Sequence, residues 1–295
     1  MYPYFCEPLT APTPRGLILN TFKRFLMSSM QQMNKEGRSI LYIIDLPAEQ
    51  AQAFDRQAVI HKTAYALEEK ILRSFDILCV FNQNMRKALT DRYDLCADKF
   101  VEFEILDYGV DFSPKGPKRF IKGDKWRIAY AGNLDRRHVG DLNELPQAES
   151  LRYIFLGKDR NWILDADRPD IECRGLLTHA ELAHYLFRNA HFGLIAVGDM
   201  GRRYYDFTCT SKFGAYMSAG LPALVSSKYT YVASLVMKYR VGLVFENLSQ
   251  LPSLLDRLSE SVYMKLSAHC VLLGEKMRCG HFFKRAVNTA ISKLN

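Results

Sequence analysis

The chain has 295 residues, of which 48% are hydrophobic and 24% charged, and this composition suffices for one large core or, as the better interpretation, two modest ones. Its net charge is +8, but the basic residues are dispersed and form no RNP-like or helix-turn-helix pattern, so we expect no nucleic-acid partner. The 7 cysteines are scattered without a C-x-x-C pair, which favours reduced thiols in a cytosol and argues against a zinc site.

The first residues lack the basic and then apolar pattern of a signal peptide, and no apolar run has the length needed to span a bilayer. We therefore predict a cytoplasmic protein. The positive charge is compatible with a weak, salt-sensitive association with the inner face of a membrane.

The chain alternates helical patterns with apolar runs on both sides of a polar segment at 115–125. Before this segment, helices are predicted at 22–33, 51–73 and 85–93, and strands at 40–44, 77–81 and 101–106. After it, strands are predicted at 127–131, 152–156, 192–197, 223–226 and 243–245. The segment itself mixes Lys with Pro and Gly, which is typical of a solvated linker between domains. Alternating strands and helices predict two doubly wound α/β domains with parallel sheets.

The segment T-S-K-F-G-A-Y-M-S-A-G-L-P (210–222) contains a helix start, a cation and a helix stop. Thr210 or Ser211 can cap the helix, whose free N–H groups and positive dipole end then favour an anion. Lys212 adds a full charge, an arrangement that can hold a diphosphate. Gly220 ends the helix before the next strand. An ordinary capped amphipathic helix with an exposed Lys is the alternative interpretation.

Three motifs each run from a predicted strand into a loop: Y-A-G-N-L (130–134), F-L-G-K (155–158) and F-G-L-I-A-V-G-D (192–199). Ligands of parallel sheets lie beyond the carboxyl ends of the strands. The side chains expected to gather at this edge are Asn133, Arg136, Lys158 and Lys212.

These blocks, followed by V-G-L-V-F-E-N-L-S-Q-L-P (241–252), resemble the C-terminal half of GT-B glycosyltransferases. They are most similar to bacterial glucosyltransferases that extend N-acetylglucosamine on serine-rich-repeat adhesins, and to the related galactofuranosyltransferases. Y-I-I-D-L (42–46), E-E-K-I-L-R-S-F-D-I-L-C-V-F-N-Q-N-M (68–85) and F-E-I-L-D-Y (103–108) resemble the N-terminal domain of that family.

The resemblance implies a GT-B fold, in which two Rossmann-like doubly wound parallel-sheet domains face a central cleft. The expected parts are an acceptor-side domain at 1–112, a nucleotide-sugar-binding domain at 126–278, and a C-terminal helix at 279–295 that packs back at the domain junction. Three prolines between Pro8 and Pro14 exclude a central strand there, whereas relatives begin with a strand, a loop and a helix. We therefore expect a shortened N-terminal domain, through truncation or rebuilding, which puts catalysis in doubt more than donor binding.

The implied reaction belongs to bacterial polysaccharide or glycoprotein biosynthesis. It is the transfer of a hexosyl unit, of the glucose or galactofuranose class, from a UDP-sugar to a hydroxyl of a glycan, glycolipid or glycoprotein. No metal or other cofactor is expected, because Lys, Arg and helix N–H groups would take the place of a divalent ion. The family includes oligomers, so a homo-oligomer is compatible with the resemblance. A catalytically degenerate scaffold that binds an acceptor or another transferase is the alternative, and a basic nucleic-acid-binding module is the least favoured hypothesis.

Each of these candidate residues has an expected role in binding the UDP-sugar or in stabilising the leaving group. Lys212 would neutralise the charge that builds on the departing UDP. Gly132 permits close backbone approach, and Asn133 offers a donor and an acceptor to a sugar hydroxyl or phosphate. Either Arg136 or Arg137 can form paired bonds to a diphosphate, although a solvated pair is the ordinary alternative.

The other candidates carry less specific signals. The ring of Tyr216 is expected to pack, while its hydroxyl could reach the donor. Asp45 follows a buried-looking strand and, in the family picture, faces the acceptor side.

The D-A-D at 165–167 formally matches a metal-binding D-x-D but lies in a polar loop without the strand-end context. His179 and His184 fall on different faces of one helix, for which Thr178 and Glu181 predict a capping box, so we expect no metal pair. His61 and His138 are lone histidines near the predicted cleft, and either could accept a proton.

Overall fold

The computed structural model describes residues 38–46, 49, 58–120, 125–196 and 202–295. The helix expected at 22–33 and the proline-rich start lie outside these residues. The chain forms two compact units, one comprising the residues up to Glu104 together with Lys284–Asn295, the other comprising Ile105–Phe283.

The first unit contains a parallel sheet in the order β1-β2-β3, formed by Ile40–Tyr42, Ile77–Val80 and Phe100–Glu102. Strand β2 is apolar and fully buried, as expected for a central parallel strand. Helix α1 (Ala58–Ser74) joins β1 to β2, and helix α2 (Gln83–Tyr93) joins β2 to β3. Asn82 starts α2 because its side-chain oxygen accepts a hydrogen bond from the Met85 N–H.

The second unit is built on a six-stranded parallel sheet in the order β6-β5-β4-β7-β8-β9. The strands in chain order are β4 (Trp126–Asn133), β5 (Leu151–Lys158), β6 (Ile171–Arg174), β7 (Phe192–Ile195), β8 (Ala223–Ser226) and β9 (Gly242–Phe245). The helices of this unit in chain order are α3 (Arg136–Val139), α4 (Asn161–Leu164), α5 (His179–Asn189), α6 (Ser211–Ser218), α7 (Thr230–Tyr239), α8 (Leu251–Asp256) and α9 (Glu260–Arg278). The last helix, α10 (His281–Leu294), belongs to the first unit from Lys284 onward. The strand order of this sheet is that of a Rossmann fold, and it reverses between β4 and β7.

Strands β4 and β7, the neighbours at this reversal, separate before they reach their carboxyl ends. Strand β4 pairs with β5 along its whole length, from Trp126 to Asn133, but with β7 only at Ile128 and Ala129. The two strands are therefore not paired beyond Ala129, which is where a doubly wound sheet forms its ligand crevice.

Helix α6 begins and ends where its sequence predicts. Thr210 is the N-cap, and its hydroxyl accepts a hydrogen bond from the Lys212 N–H. Gly220 takes a φ of +63°, after which β8 starts at Ala223 as expected. The capping box of Thr178 and Glu181 on α5 is also confirmed.

The segment at 115–125 is not a solvated linker where it is described, so that expectation was wrong. Phe120 is buried in the core of the second unit and stacks on Trp126 with ring centroids 3.4 Å apart. Lys118 is also buried and donates hydrogen bonds to the carbonyls of Leu186 and Ala190, so it caps the C-terminal end of α5. Burial, followed by the charge of Arg127, lowers the pKa of Lys118 to about 7.

Within the part of the chain that the structure describes, no helix has both the length and the apolar character needed to cross a membrane.

Candidate functional site

The carboxyl ends of β4 and β5 and the start of α6 form one edge of the second unit's sheet. Asn133 and Lys158 end neighbouring strands in register with each other, and both are exposed. The Asn133 side-chain oxygen accepts a hydrogen bond from the Asp135 N–H, which turns the chain toward α3.

Gly132 brings the Lys212 side chain against the end of β4. It has a φ of +141°, and a Cβ placed on it would lie 3.2 Å from Cε and 3.4 Å from Nζ of Lys212. Gly132 is thus needed both for its backbone conformation and for the space that it leaves to the lysine. The structure therefore brings these two predicted residues together.

The Lys212 ammonium is an unpaired cation at the first turn of α6. It makes no hydrogen bond or ion pair with any residue that the structure describes, and its nitrogen lies 4.8 Å from the centroid of the Tyr130 ring. Burial lowers the pKa of Lys212 to about 8. A half-buried cation without a counter-charge, at the positive end of a helix, is suited to an anionic ligand.

An aromatic wall begins with the Tyr130 ring, which lies beside this lysine. It consists of Tyr130, Tyr205 and Tyr229; the last two rings have centroids 4.1 Å apart. Burial, assisted by the neighbouring phenols, raises the pKa of Tyr130 well above its usual value, so the wall stays neutral. None of the three tyrosines was among the predicted site residues. Tyr130 belongs to the Y-A-G-N-L motif, which could have identified it, whereas the positions of Tyr205 and Tyr229 depend on tertiary packing.

Tyr216 connects α6 to the sheet where β4 and β7 separate. Its hydroxyl accepts a hydrogen bond from the Ala131 N–H at 3.1 Å and lies 3.3 Å from the Ala129 carbonyl and 3.1 Å from the Leu194 carbonyl. The ring occupies the space beside Gly193, where an added Cβ would lie 2.2 Å from it. Tyr216 is fully buried, which corrects its assignment as a donor contact to that of a positioning residue one turn below Lys212.

We expect Tyr216→Phe to lower the free energy of unfolding by about 1–3 kcal/mol, because the buried Ala131 N–H loses its partner. Urea unfolding measures this change. Tyr185→Phe is the matched control, since its hydroxyl contacts Glu172 at the surface and its loss is expected to cost less than about 1 kcal/mol. Equal stability losses in the two variants would contradict the bridging role of Tyr216.

The remaining predicted residues are placed as follows. Arg136 is exposed at the start of α3, and its guanidinium carbon lies 5.1 Å from the centroid of the Trp162 ring. The Arg137 side chain, like those of His61 and His138, lies outside the described residues. Asp45 belongs to the first unit, where its carboxylate accepts a hydrogen bond from the Leu46 N–H. Ser211 is exposed at the first position of α6.

In the described part of the chain, no group of three His, Cys, Asp or Glu side chains could hold a metal ion. Asp165 and Asp167 are exposed after α4. His179 lies beside the Tyr108 ring and His184 beside the Phe112 ring, with centroids 5.3 Å and 4.3 Å apart. Both histidines therefore pack against aromatic rings.

The chain is similar to the beta-1,6-galactofuranosyltransferase WbbI of Escherichia coli strain K12, with 24% identity over 239 residues that cover 76% of this chain and 66% of WbbI. The chain thus spans about two thirds of the length of this relative.

Two solved structures show the same fold. WaaG, a glycosyltransferase involved in lipopolysaccharide biosynthesis, matches with a TM-score of 0.61 and 16% identity over 95% of this chain and 84% of that one. Anabaena Alr3699/HepE in complex with UDP-glucose matches with a TM-score of 0.60 and 11% identity over 95% of this chain and 77% of that one. These likenesses confirm the predicted α/β fold of the GT-B class. The family described as glucosyltransferase 3-like, C-terminal domain, matches residues 128–290, more than half of the chain, and the chain belongs to this family of glycosyltransferases.

Proposed function

We propose that the protein transfers a hexosyl unit from a UDP-sugar to a hydroxyl of a glycan, glycolipid or glycoprotein, without a metal ion. The observation that carries this proposal is the unpaired Lys212 ammonium, held against Gly132 at the first turn of α6. A diphosphate would supply the negative counter-charge that the Lys212 ammonium lacks among the described residues. WbbI, named as a galactofuranosyltransferase, and HepE, solved with UDP-glucose, support the class of donor.

In the proposed reaction the bond between the sugar C1 and the β-phosphate oxygen breaks, and its electron pair leaves with UDP. The acceptor oxygen forms a new bond to C1, and its proton passes to the departing UDP phosphate or to water. Lys212 and the free N–H groups of α6 stabilise the charge that builds on the phosphate, which lowers the barrier most if they are already in position. Arg136, Arg137 and Lys158 are proposed as further cations for the diphosphate, and Asp45 as the acidic group on the acceptor side.

Calorimetric titration with UDP in metal-free buffer, with AMP and GDP as controls, tests the donor site. Selective binding of UDP is expected. UDP-glucose and UDP-galactofuranose, with glucosyl, galactosyl and N-acetylglucosaminyl acceptors, would then be compared by release of UDP. Binding without turnover on any acceptor would favour the catalytically degenerate scaffold, and the absence of UDP binding would contradict the proposed donor.

UDP affinity should fall as the pH rises above about 8, because only the protonated Lys212 attracts the phosphates and its pKa in the free protein is about 8. A bound diphosphate raises that pKa, so binding above pH 8 takes up a proton, and the affinity is expected to drop roughly tenfold per pH unit. Calorimetry between pH 6.5 and pH 9.5, approximately the range that brackets this titration, measures the trend. Lys212→Arg is the control, since an arginine stays charged throughout. The same slope in both proteins would contradict the role of Lys212.

A further inference from the structure

A cavity lies in the same unit, between the chain that follows β4 and the chain that follows β5. Its volume is about 730 Å³, within the range of small-molecule sites. The lining residues that bear on its chemistry are Arg136, Asn143, Gln147, Trp162, Asp165 and Asp167. Of the described side chains proposed for the diphosphate, Arg136 alone also lines this cavity.

Trp162 gives the cavity a fixed aromatic surface. The indole N–H donates a hydrogen bond to the Leu134 carbonyl at 2.6 Å, and the Arg136 guanidinium lies over the ring. Both contacts orient the indole. The ring is half-buried, so part of it is available to a ligand in the cavity.

Four polar side chains of the lining have no partner in the described part of the chain. The side chains of Asn143, Gln147, Asp165 and Asp167 make no hydrogen bond or ion pair with any residue in the described part of the chain. The two amides offer donors and acceptors, and the two carboxylates offer acceptors. A ligand with many hydroxyl groups could satisfy all four.

The charge of the cavity disfavours an anion. Arg168 also lines it but is buried, ion-paired with Asp170 at 2.8 Å and bonded to the Leu142 carbonyl, so its charge is already neutralised. Among the lining side chains that the structure describes, the charges that remain are Arg136 against Asp141, Asp165 and Asp167, an excess of carboxylates. A phosphate or nucleotide would be repelled here, in contrast to the edge that carries Lys212.

We propose that this Trp162 cavity is a saccharide subsite, which binds neutral sugar units of a glycan through indole contact and hydroxyl hydrogen bonds. The proposal rests on the proposed function, because a glycan acceptor supplies such units next to the reacting sugar. The chain from Asn133, at the donor edge, to Arg136, in the cavity, is only one short turn, so the two sites adjoin within this unit.

Tryptophan fluorescence tests the subsite directly. The chain has 2 tryptophans, and Trp126 is buried in the core, so an added ligand that alters emission reports on Trp162. The probes are cellotriose, chitotriose and a galactose trisaccharide, with spermidine and inorganic phosphate as controls. We expect at least one trisaccharide to change the emission saturably, and neither control to do so.

The double variant Asp165→Asn/Asp167→Asn keeps the shape of the lining but removes its charge. It should weaken trisaccharide binding at least tenfold and leave UDP affinity unchanged, whereas Asp256→Asn on α8 should change neither. UDP binding without any trisaccharide binding would overturn the subsite while the donor proposal stands. Trisaccharide binding without UDP binding would contradict the proposed donor site and leave the saccharide subsite standing. Saturable binding of spermidine in place of the sugars would overturn the saccharide assignment in favour of a cation.

Discussion

Replacing Lys212 with methionine is expected to abolish measurable UDP binding and to leave the fold at least as stable as before. The ammonium is the half-buried cation at the start of α6, without a partner among the described residues. Removing one partner of a desolvated charge pair costs about 2–5 kcal/mol of binding free energy, which is a loss of roughly 30-fold or more.

The free energy of unfolding, unlike the UDP affinity, is not expected to fall, because burial of the Lys212 charge destabilises the folded protein. The pKa of Lys212 is lowered to about 8, so the charged form is disfavoured by folding below that pH. The cost falls as the pH rises above about 8 and disappears above the ordinary lysine pKa of about 10.4, where Lys212 is neutral in both states. Methionine retains the apolar stem and removes the charge.

Calorimetry with UDP and urea unfolding, performed on the same preparations at pH 7, separates the two effects. Lys265→Met is the matched control, because Lys265 is an exposed lysine on α9 and its loss should change neither quantity. UDP affinity within about twofold of the parent protein in Lys212→Met would mean that the donor site has been placed wrongly.

The Gly157→Ala variant is expected to have a lower free energy of unfolding, because an added Cβ has no room between β5 and β4. A Cβ at Gly157 would lie 1.8 Å from the Gly132 carbonyl oxygen and 3.0 Å from its carbon. Both glycines belong to strands paired along their length, so the backbone cannot easily yield. Overpacking of this kind costs about 1–3 kcal/mol and occasionally more.

The same change should also weaken UDP binding, because Gly132 supports the Lys212 side chain. Gly175→Ala is the control: its added Cβ would come no nearer than 3.7 Å to another atom, the Arg160 guanidinium. Its free energy of unfolding is expected to stay unchanged or to rise slightly, because alanine lowers the conformational entropy of the unfolded chain. Urea unfolding and UDP titration of the two variants check the prediction, and equal stabilities would refute the close approach of β4 and β5.

Local chemistry explains what could be predicted from the sequence. Helix α6 was predictable because Thr210 caps it and Gly220 ends it, and both signals act within a few residues. Strand β6 was missed because it alternates half-buried and exposed residues at the edge of the sheet, between polar loops.

Features that depend on distant partners could not be predicted. The carbonyls that bind Lys118 come from Leu186 and Ala190, 68 and 72 residues away, so the sequence offered only a lysine among Pro and Gly. The position of Tyr216 likewise depends on Gly193, which belongs to another strand. At the candidate site, charged and glycine positions were predictable from motifs, whereas the aromatic wall required the tertiary structure.

The hydroxyl bridge of Tyr216 across the separation of β4 and β7 makes the proposed donor site dependent on the native tertiary structure. The same helix carries Tyr216 and Lys212 one turn apart, so a chain that has not docked α6 has neither the bridge nor the cation in place. On the proposed function, the nucleotide then binds only native molecules, and at 100 times its Kd it adds about 2.7 kcal/mol to their stability. The supply of donor sugar would in this way set the lifetime of the enzyme against cellular proteolysis.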